Sequence, residues 1–333
     1  MLNNTHKFLL VLSTSMMTYG AMAQSPGSNQ VQQIIEQERS RQISRQISNN
    51  VQRRVGGDID ENTQTGLIRK ASLQENTLAG SADRHSFMPD TVWDTYSWTR
   101  IGNDGGIPTN FDVDVHQNTI AMDKKFGDFY AGLSLTYAYS DLSLDGPTGG
   151  ELMKGDNHTV QLTPYAAYVI NKHLFLSALT GYSYSNDNNR GSFLGSKSET
   201  DSYNTELALN ALHSIDNWFM TGKIGTRYIH GHSKTTSDFT TGETRDNSDT
   251  WIYLTRAEIG YAFANGIRVS NAVLFEYTNP KPNNGSADGV FYYDIGVNYP
   301  VSKSLNFGVN ASTDLSNEDV NISTVALNAR LAL

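Results

Sequence analysis

Histidine, serine and paired aspartates are the residues of this sequence whose types suggest hydrolysis or metal binding. Between Tyr228 and Ser233, His232 and Ser233 are adjacent. Adjacent residues of a β-strand point to opposite faces, so we do not expect the Ser–His hydrogen bond that activates a nucleophile. His230 and His232 share a face, but two ligands are fewer than a catalytic zinc ion needs. We interpret this stretch as polar residues at the base of a loop.

Two pairs of carboxylates have the residue type needed for acid–base chemistry. Asp112 and Asp114 share one face of a predicted strand, and Asp246 and Asp249 lie in a predicted loop. Nothing in the sequence fixes either pair at a catalytic spacing. The sequence contains no phosphate-binding loop, dinucleotide-binding glycine motif, H-E-x-x-H motif or EF-hand spacing.

The composition excludes further classes of protein. The chain has no cysteine, which excludes disulfides and thiolate metal sites. Its formal net charge of -9 argues against nucleic acid as a partner. We therefore predict that the protein is not an enzyme and has no catalytic, cofactor-binding or metal-binding residues, and no cofactor.

The N-terminus has the pattern of a secretory signal. Lys7 precedes the short apolar run 8–12, and small residues lead to Ala21, Met22 and Ala23. A charged start, an apolar run and an A-x-A site are typical of a signal peptide, and this run is too short to span a bilayer as a helix. The sequence predicts that residues 1–23 direct export.

The next part of the mature chain is predicted to be helical. Residues 24–30 form a short polar linker, and residues 31–57 a helix that ends at Gly56 and Gly57. Residues 58–91 are predicted to be an irregular connection. The apolar positions of the helix recur at multiples of four and form one narrow stripe: Val31, Ile35, Ile43, Ile47, Val51 and Val55. Its other sides carry Arg39, Arg41, Arg45, Arg53 and Arg54.

From about residue 92 to residue 333 the pattern changes to alternation with a period of two. Apolar and aromatic residues alternate with small, polar or charged residues, as in the strands of a membrane barrel. About twelve such stretches are present, and an even number is what bacterial barrels require. They lie near 92–101, 111–125, 128–141, 156–170, 173–186, 202–214, 217–230, 249–263, 266–278, 288–299, 304–314 and 319–333. Pro164 lies inside the fourth stretch, where we expect a β-bulge.

The connections between these stretches alternate in length. Short connections occur near residues 126–127, 171–172, 216, 264–265 and 300–303. The others are longer and polar, at 102–110, 142–155, 187–201, 231–248 and 279–287, with a shorter one at 315–318. Short periplasmic turns and longer extracellular loops are typical of outer-membrane barrels.

Charge is confined to one face of the predicted strands, which indicates which face meets lipid. The charged face, which we assign to the lumen, carries Glu206, Lys223, Arg227, Arg256, Glu258, Arg268, Glu276 and Asp294. A charge on the lipid face would cost about 2–4 kcal/mol at the midplane. The 17 tyrosines, many near strand ends, suit the bilayer interface. We predict an all-β fold: a transmembrane antiparallel barrel of about twelve strands with the N-terminal helix inside its lumen.

Three segments carry a resemblance to a known family. Residues 41–54 resemble the pore helix of autotransporter barrels, residues 110–139 resemble the second and third strands, and Thr163 to Tyr168 resemble the fourth, in which Pro164 would be a family trait. The chain thus resembles the C-terminal translocator domain of type V secretion from residue 41 onward. Two features depart from the family: only residues 24–30 separate the signal from the helix, and Leu333 replaces a terminal aromatic residue.

The resemblance implies a mechanism and partners. A translocator barrel is inserted into outer-membrane lipid with help from periplasmic chaperones and the barrel assembly machinery, lets a passenger out, and is then plugged by its helix. Some relatives cleave themselves between two asparagines, for which Asn49 and Asn50 lie in a matching place. The expected location is the Gram-negative outer membrane, as a monomer with loops able to bind a host or cell-surface ligand. Two alternatives stay open: a small diffusion channel and a barrel-embedded, phospholipase-like hydrolase.

Overall fold

A computed structural model describes residues 26–63, 88–102, 110–145, 151–191, 195–237, 243–280, 288–302, 304–315 and 321–333. The predicted signal at residues 1–23 and most of the predicted irregular segment 58–91 lie outside the described residues. The helix is α1 (Pro26–Thr63), and the strands are β1 (Thr91–Gly102), β2 (Asn110–Phe126), β3 (Phe129–Asp145), β4 (Glu151–Asn171), β5 (Leu174–Gly191), β6 (Gly195–Ile215), β7 (Trp218–Ser237), β8 (Glu243–Ala262), β9 (Arg268–Pro280), β10 (Asp288–Pro300), β11 (Leu305–Asp314) and β12 (Asn321–Ala332).

The strands form one closed antiparallel barrel. Each strand pairs with its neighbours in the chain, and β1 closes the barrel by pairing with β12, from Thr91 opposite Ala332 to Gly102 opposite Asn321. Closure gives every strand two partners, which satisfies the backbone donors and acceptors where water is absent. The predicted fold class is confirmed.

Alternation sorts the side chains into two faces. Along β1, for example, odd-numbered residues are buried and even-numbered residues from Asp94 to Arg100 are exposed. Large apolar side chains are exposed on the outward face of the barrel, among them Leu135, Leu207, Ile224, Val297 and Leu327. Such a surface suits lipid rather than water, because a soluble protein rarely exposes a continuous apolar band of this size.

Tight turns gather at one end of the barrel, which we call the turn end. They lie at residues 127–128, 172–173, 216–217, 263–267 and 301–304. Gly127 and Asp216 have φ angles of 64° and 53°, in the left-handed region that glycine and aspartate tolerate best. The opposite end, where the longer connections lie, is the loop end.

Several predicted loops are largely strand. β4 and β6 are each 21 residues long, so they cover much of the predicted loops 142–155 and 187–201. The predicted loop 231–248 is likewise shortened by β7 and β8, which are 20 residues each. The alternation was missed there because both faces are polar beyond the apolar band, so no period of two remains to be seen.

Pro164 does not form the predicted bulge. β3 and β4 keep one register through the pair Leu133 and Pro164, and the register of β4 with β5 is the same on both sides of it. The register shifts lie elsewhere, at Leu144/Asp145 and Val169/Asn171. Around the proline, ladder pairing with β5 is omitted at residues 163 and 164, so its missing N–H is absorbed without an extra residue.

α1 lies inside the barrel and is longer than predicted. Its side chains contact inward-facing residues on β2, β4, β6, β9 and β11, which surround it. It begins at Pro26, within the predicted linker, and passes Gly56 and Gly57 to end at Thr63. Beyond the glycines Asp58 forms an ion pair with Arg54 one turn earlier, which supports the last turns. Among the described residues no helix is both long and apolar enough to cross a membrane.

Candidate functional site: the contact between the helix and the barrel wall

One side of α1 packs against an apolar part of the wall. Ile43, Ile47, Val51 and Val55, four of the predicted stripe residues, are buried there. We call this set and the wall residues it meets the apolar cluster; its wall members are Trp93, Ala121, Tyr130, Tyr165, Ala167, Phe175, Leu179 and Leu212, on β1 to β6. The spacing of four residues keeps the stripe on one face of the helix, so a single side of the wall can cover it.

The wall half of the apolar cluster was not predicted. The sequence argument assigned small, polar and charged residues to the lumen, whereas Trp93, Phe175 and Leu212 point inward and are buried. At the turn end of β5, residues 174–176 read Leu-Phe-Leu. A local run in which both faces are apolar is the pattern that marks a strand covered on both sides. The run 174–176 is therefore a sequence signal that the lumen is filled at this height.

The opposite side of α1 meets a group of buried charges at mid-height. Glu206 on β6 accepts hydrogen bonds from Ser48 of the helix and from Lys223 on β7, each at 2.6 Å. Arg227 donates two bonds to the other oxygen of Glu206, at 2.6 and 3.0 Å. Lys223 also contacts the Ser48 hydroxyl. One helix side chain is thus joined to a charge pair that bridges two strands.

A second carboxylate links the helix to this group. Arg45 forms a bidentate contact with Glu276 on β9, at 2.9 and 2.5 Å, and its guanidinium lies 3.9 Å from the centre of the Tyr292 ring. Arg227 reaches Glu276 at 3.5 Å. We call Arg45, Ser48, Glu206, Lys223, Arg227 and Glu276 the ionic cluster. Bidentate arginine–carboxylate geometry fixes orientation as well as adding energy.

Further contacts hold each end of the described part of the helix. At the turn end Arg54 pairs with Asp123 on β2 at 3.2 Å, and Asp58 accepts a bond of 2.8 Å from Tyr130. Toward the loop end Arg39 donates to Thr159 and Ser140, at 2.8 and 2.9 Å, while Arg41 donates to Thr278 at 2.8 Å. Contacts therefore run along about five helical turns, from residue 39 to residue 58.

The remaining predicted luminal charges lie on β8 to β10. Arg256 pairs with Glu258 on its own strand and with Asp294 at 3.4 Å. Arg53 of the helix donates to Asn310 on β11 at 2.6 Å. Arg268 is on the inward face of β9 and lies over the Phe219 ring, 5.9 Å from its centre. The structure thus places all eight predicted luminal residues on inward faces, and brings Glu206, Lys223, Arg227 and Glu276 together.

A cavity of about 30 Å³ lies between Arg39, Ser40 and Ile43 and a wall of mainly hydroxyl-bearing residues. That volume is on the scale of a single water molecule.

Comparison with known proteins agrees with this geometry. Residues 95–205 match a family model described as Autotransporter beta-domain. The barrel is similar to the translocator domain of autotransporter NalP from Neisseria meningitidis, with a TM-score of 0.60, 10% identity and coverage of 80% of this chain and 94% of that one. This is the fold of an autotransporter β-domain.

Two further solved structures support the same β-domain fold. The beta domain of the Bordetella autotransporter Brka has a TM-score of 0.59 at 16% identity, covering 74% of this chain and 100% of that one. The transport unit of AIDA-I from Escherichia coli has a TM-score of 0.56 at 12% identity, covering 81% and 100%. A comparison with curated proteins returned no match. The resemblance to translocator barrels expected from the sequence is confirmed, and the chain has the fold of these barrels.

The residues first considered for hydrolysis are divided between the two faces of the barrel wall. His230 Nδ1 is 2.8 Å from Asp249 Oδ1, which also accepts a bond of 2.5 Å from Tyr228. His232 contacts Asn247 instead, while Ser233 is on the other face of β7. Asp246 and Asp249 also lie on opposite faces of β8. Within the described residues no group of three or more metal-ligating side chains is present.

The two asparagines of the expected cleavage site lie on α1. Asn50 donates to the Thr95 hydroxyl at 3.1 Å. In the part of the chain that the structure describes, neither Asn49 nor Asn50 is hydrogen-bonded to a carboxylate. Cleavage by cyclisation needs such a group to activate the amide, so self-cleavage stays a prediction without geometric support.

Proposed function

We propose that this β-domain is a translocator barrel whose lumen is plugged by α1 once the chain has reached the outer membrane. The observation that carries the proposal is the bidentate contact of Arg45 with Glu276, which joins the helix to β9 of the barrel wall. Burying a carboxylate such as Glu276 inside the barrel costs desolvation energy unless a positive charge pairs with it. A helix that stays in the lumen supplies such a charge, whereas a helix that only passes through does not.

The wall part of the ionic cluster does not need the helix for its charge balance. Glu206 and Glu276 carry two negative charges, and Lys223 and Arg227 carry two positive ones, so the wall part of the ionic cluster is neutral by itself. The cluster can therefore persist while the lumen is empty and then accept Ser48 and Arg45 as the helix arrives. Both carboxylates are almost fully buried, so each keeps its partner in a site of low dielectric constant.

The remaining partners follow from the outer surface and from the sequence. The exposed apolar band suits outer-membrane lipid. We further propose that residues 1–23 act as the export signal, that periplasmic chaperones and the barrel assembly machinery insert the chain as a monomer, and that the surface loops bind a host or cell-surface ligand.

Conductance in planar bilayers tests the plug. The full chain should show only small, rare openings, whereas a chain lacking residues 31–55 should conduct steadily, because the deletion removes the described contacts of α1 from Arg39 to Val55. Heat-dependent migration in gels should show that both proteins are folded barrels. If the deletion leaves conductance unchanged and high, the chain is a diffusion channel and the plug is wrong. Lipase activity that is lost in His230→Ala and Ser233→Ala variants would instead support a hydrolase.

A further inference from the structure

A polar groove lies on the outer face of the barrel at the loop end, away from α1. It is formed across β2 to β5 and has a volume of about 520 Å³. We call it the rim groove; its charged members are Asp112, Asp114, Asp141, Asp156, Lys154 and Arg190, and Tyr139 also lines it. These side chains point outward, because their positions alternate with the buried, inward-facing residues of the same strands.

Like charges face each other directly in the rim groove. Lys154 on β4 is the ladder partner of Arg190 on β5. Asp141 on β3 is the partner of both Asp114 and Asp156 on the neighbouring strands. Like charges directly opposite each other destabilise a sheet. The two cations lie side by side on one level of the groove and the three carboxylates on the next, so a ligand that carries an anion and hydrogen-bond donors at this spacing can contact both rows.

The groove has two levels with different chemistry. The aspartates form the lower level, next to aromatic residues. Tyr139 donates a hydrogen bond to Asp141 at 2.5 Å, and Trp98 donates one to Asp114 at 3.0 Å. Each of these bonds uses only part of the capacity of a carboxylate, which can accept about four. Lys154 and Arg190 form the upper level. Lys154 is the next outward residue of β4 after Asp156, two residues closer to the loop end at roughly 3.3 Å of rise per residue. Lys197 on β6 is exposed nearby, as the partner of Asn188.

The location of the groove restricts what can occupy it. Along β3 the outward residues run from Leu133 and Leu135 through Tyr137 and Tyr139 to Asp141, and Leu133, Leu135 and Tyr137 are exposed. Tyrosines mark the membrane interface. The groove is therefore beside the lipid head groups of the leaflet that meets the loop end, which is the outer leaflet if the tight turns are periplasmic.

We propose that the rim groove binds the phosphorylated sugar head group of an outer-leaflet glycolipid. Lys154 and Arg190 bind phosphate oxygens, for which a fixed pair of cations is well suited. The row Asp114, Asp141 and Asp156 accepts hydrogen bonds from sugar hydroxyl groups. This proposal rests on the placement of the barrel in the outer membrane but not on the plug by α1, so either can fail alone.

The test measures binding of purified lipopolysaccharide to the full chain in detergent micelles by native mass spectrometry. The variant is Lys154→Gln with Arg190→Gln, and the matched control is Lys124→Gln with Lys172→Gln, which removes two cations at the turn end, one half-buried and one exposed. Losing two charge-assisted contacts should weaken binding about tenfold in the variant, and the control should stay within about twofold. Heat-dependent migration confirms that each protein is folded.

Three further experiments test which part of the glycolipid is bound: two of them concern its phosphate and the third its sugar. Enzymatic removal of phosphate from the lipopolysaccharide should weaken binding to the unaltered protein as much as the double variant does. Inorganic phosphate and phosphatidylglycerol should compete poorly. Asp141→Asn should weaken binding of the intact glycolipid severalfold, because a neutral amide is a weaker acceptor than a carboxylate. Equal binding by variant and unaltered protein, strong competition by either simple phosphate, or tighter binding by Asp141→Asn would each overturn the proposal.

Discussion

The two sides of α1 meet walls of opposite character. On one side the apolar cluster buries aliphatic helix residues against aromatic and aliphatic residues of β1 to β6. On the other side the ionic cluster joins Arg45 and Ser48 to charges on β6, β7 and β9. Burial of apolar area is non-directional and grows with contact, whereas charged hydrogen bonds depend steeply on geometry. We infer that the apolar cluster holds the helix in the lumen and the ionic cluster sets its height and rotation.

The largest effect is expected from Glu206, because its loss leaves two cations buried. Glu206→Gln should lower the free energy of unfolding by about 3–5 kcal/mol, the typical cost of breaking a buried ion pair on one side. Urea unfolding of the barrel in vesicles measures this change. Glu199→Gln is the matched control, since Glu199 is an exposed carboxylate of the same strand. Equal stability of the two variants would contradict the role given to the ionic cluster.

Ile47 tests the apolar cluster. It is fully buried, at 0% exposure, among the wall residues. Ile47→Ala should cost about 2–4 kcal/mol, and Ile47→Val only about 1 kcal/mol, because the cost follows the volume removed. The same urea titration gives both values. A cost below about 0.5 kcal/mol for Ile47→Ala would mean that the helix is not packed against this wall.

Substitution of Arg45 tests the contact between the helix and the wall residues of the ionic cluster, because the ion pairs among those wall residues stay intact. In Arg45→Gln, Glu276 keeps Arg227 at 3.5 Å, so the expected loss is smaller, about 1–3 kcal/mol. The variant should also open more often in single-channel recordings, because α1 is less firmly held. Arg45→Lys keeps the charge but loses the bidentate geometry. Its stability and its frequency of channel opening should lie between those of Arg45→Gln and those of the unaltered protein. Unchanged channel openings in Arg45→Gln would show that this contact does not hold the plug.

The smallest effect is expected at the surface. Arg100 and Asp112 form an ion pair on the outer face, with side chains 58% and 38% exposed. Arg100→Ala should change stability by less than about 1 kcal/mol, and added salt should reduce even that difference. Urea unfolding at low and high salt measures it. A loss comparable to that in Glu206→Gln would remove the contrast between buried and exposed pairs.

The barrel was predictable because lipid imposes a simple rule on it. Strand number, closure and the inward direction of Glu206, Arg227 and Glu276 follow from the period of two and from the segregation of charge. The strand ends of β4 and β6 were not predictable in this way, since Lys154 and Glu199 lie where both faces are polar and the period vanishes. The inward-facing Trp93 and Phe175 were missed because every luminal position was expected to be small, polar or charged, although the apolar stripe of a helix inside the lumen needs apolar partners on the wall.

The partners within the lumen were the least predictable part. Spacing indicated that five arginines decorate the helix, but the choice of Glu276 for Arg45 and of Asp123 for Arg54 depends on the height of the helix in the barrel. That height is a tertiary property with no counterpart in local sequence. The continuation of α1 past Gly56 and Gly57 has the same origin, because contacts of Asp58 with Lys125 and Tyr130 outweigh the low helix propensity of glycine.

Cross-linking between helix and wall tests the position of α1 most directly. The chain has no cysteine of its own, so Asn50→Cys with Thr95→Cys introduces a single defined pair where the native side chains are 3.1 Å apart. The control pairs Asn50→Cys with Asn118→Cys, whose side chain lies on the outer face of β2. For protein folded in membranes, a short thiol cross-linker should join residues 50 and 95 but not residues 50 and 118. Failure of the first pair to react, or equal reaction of both pairs, would contradict a helix held inside the barrel.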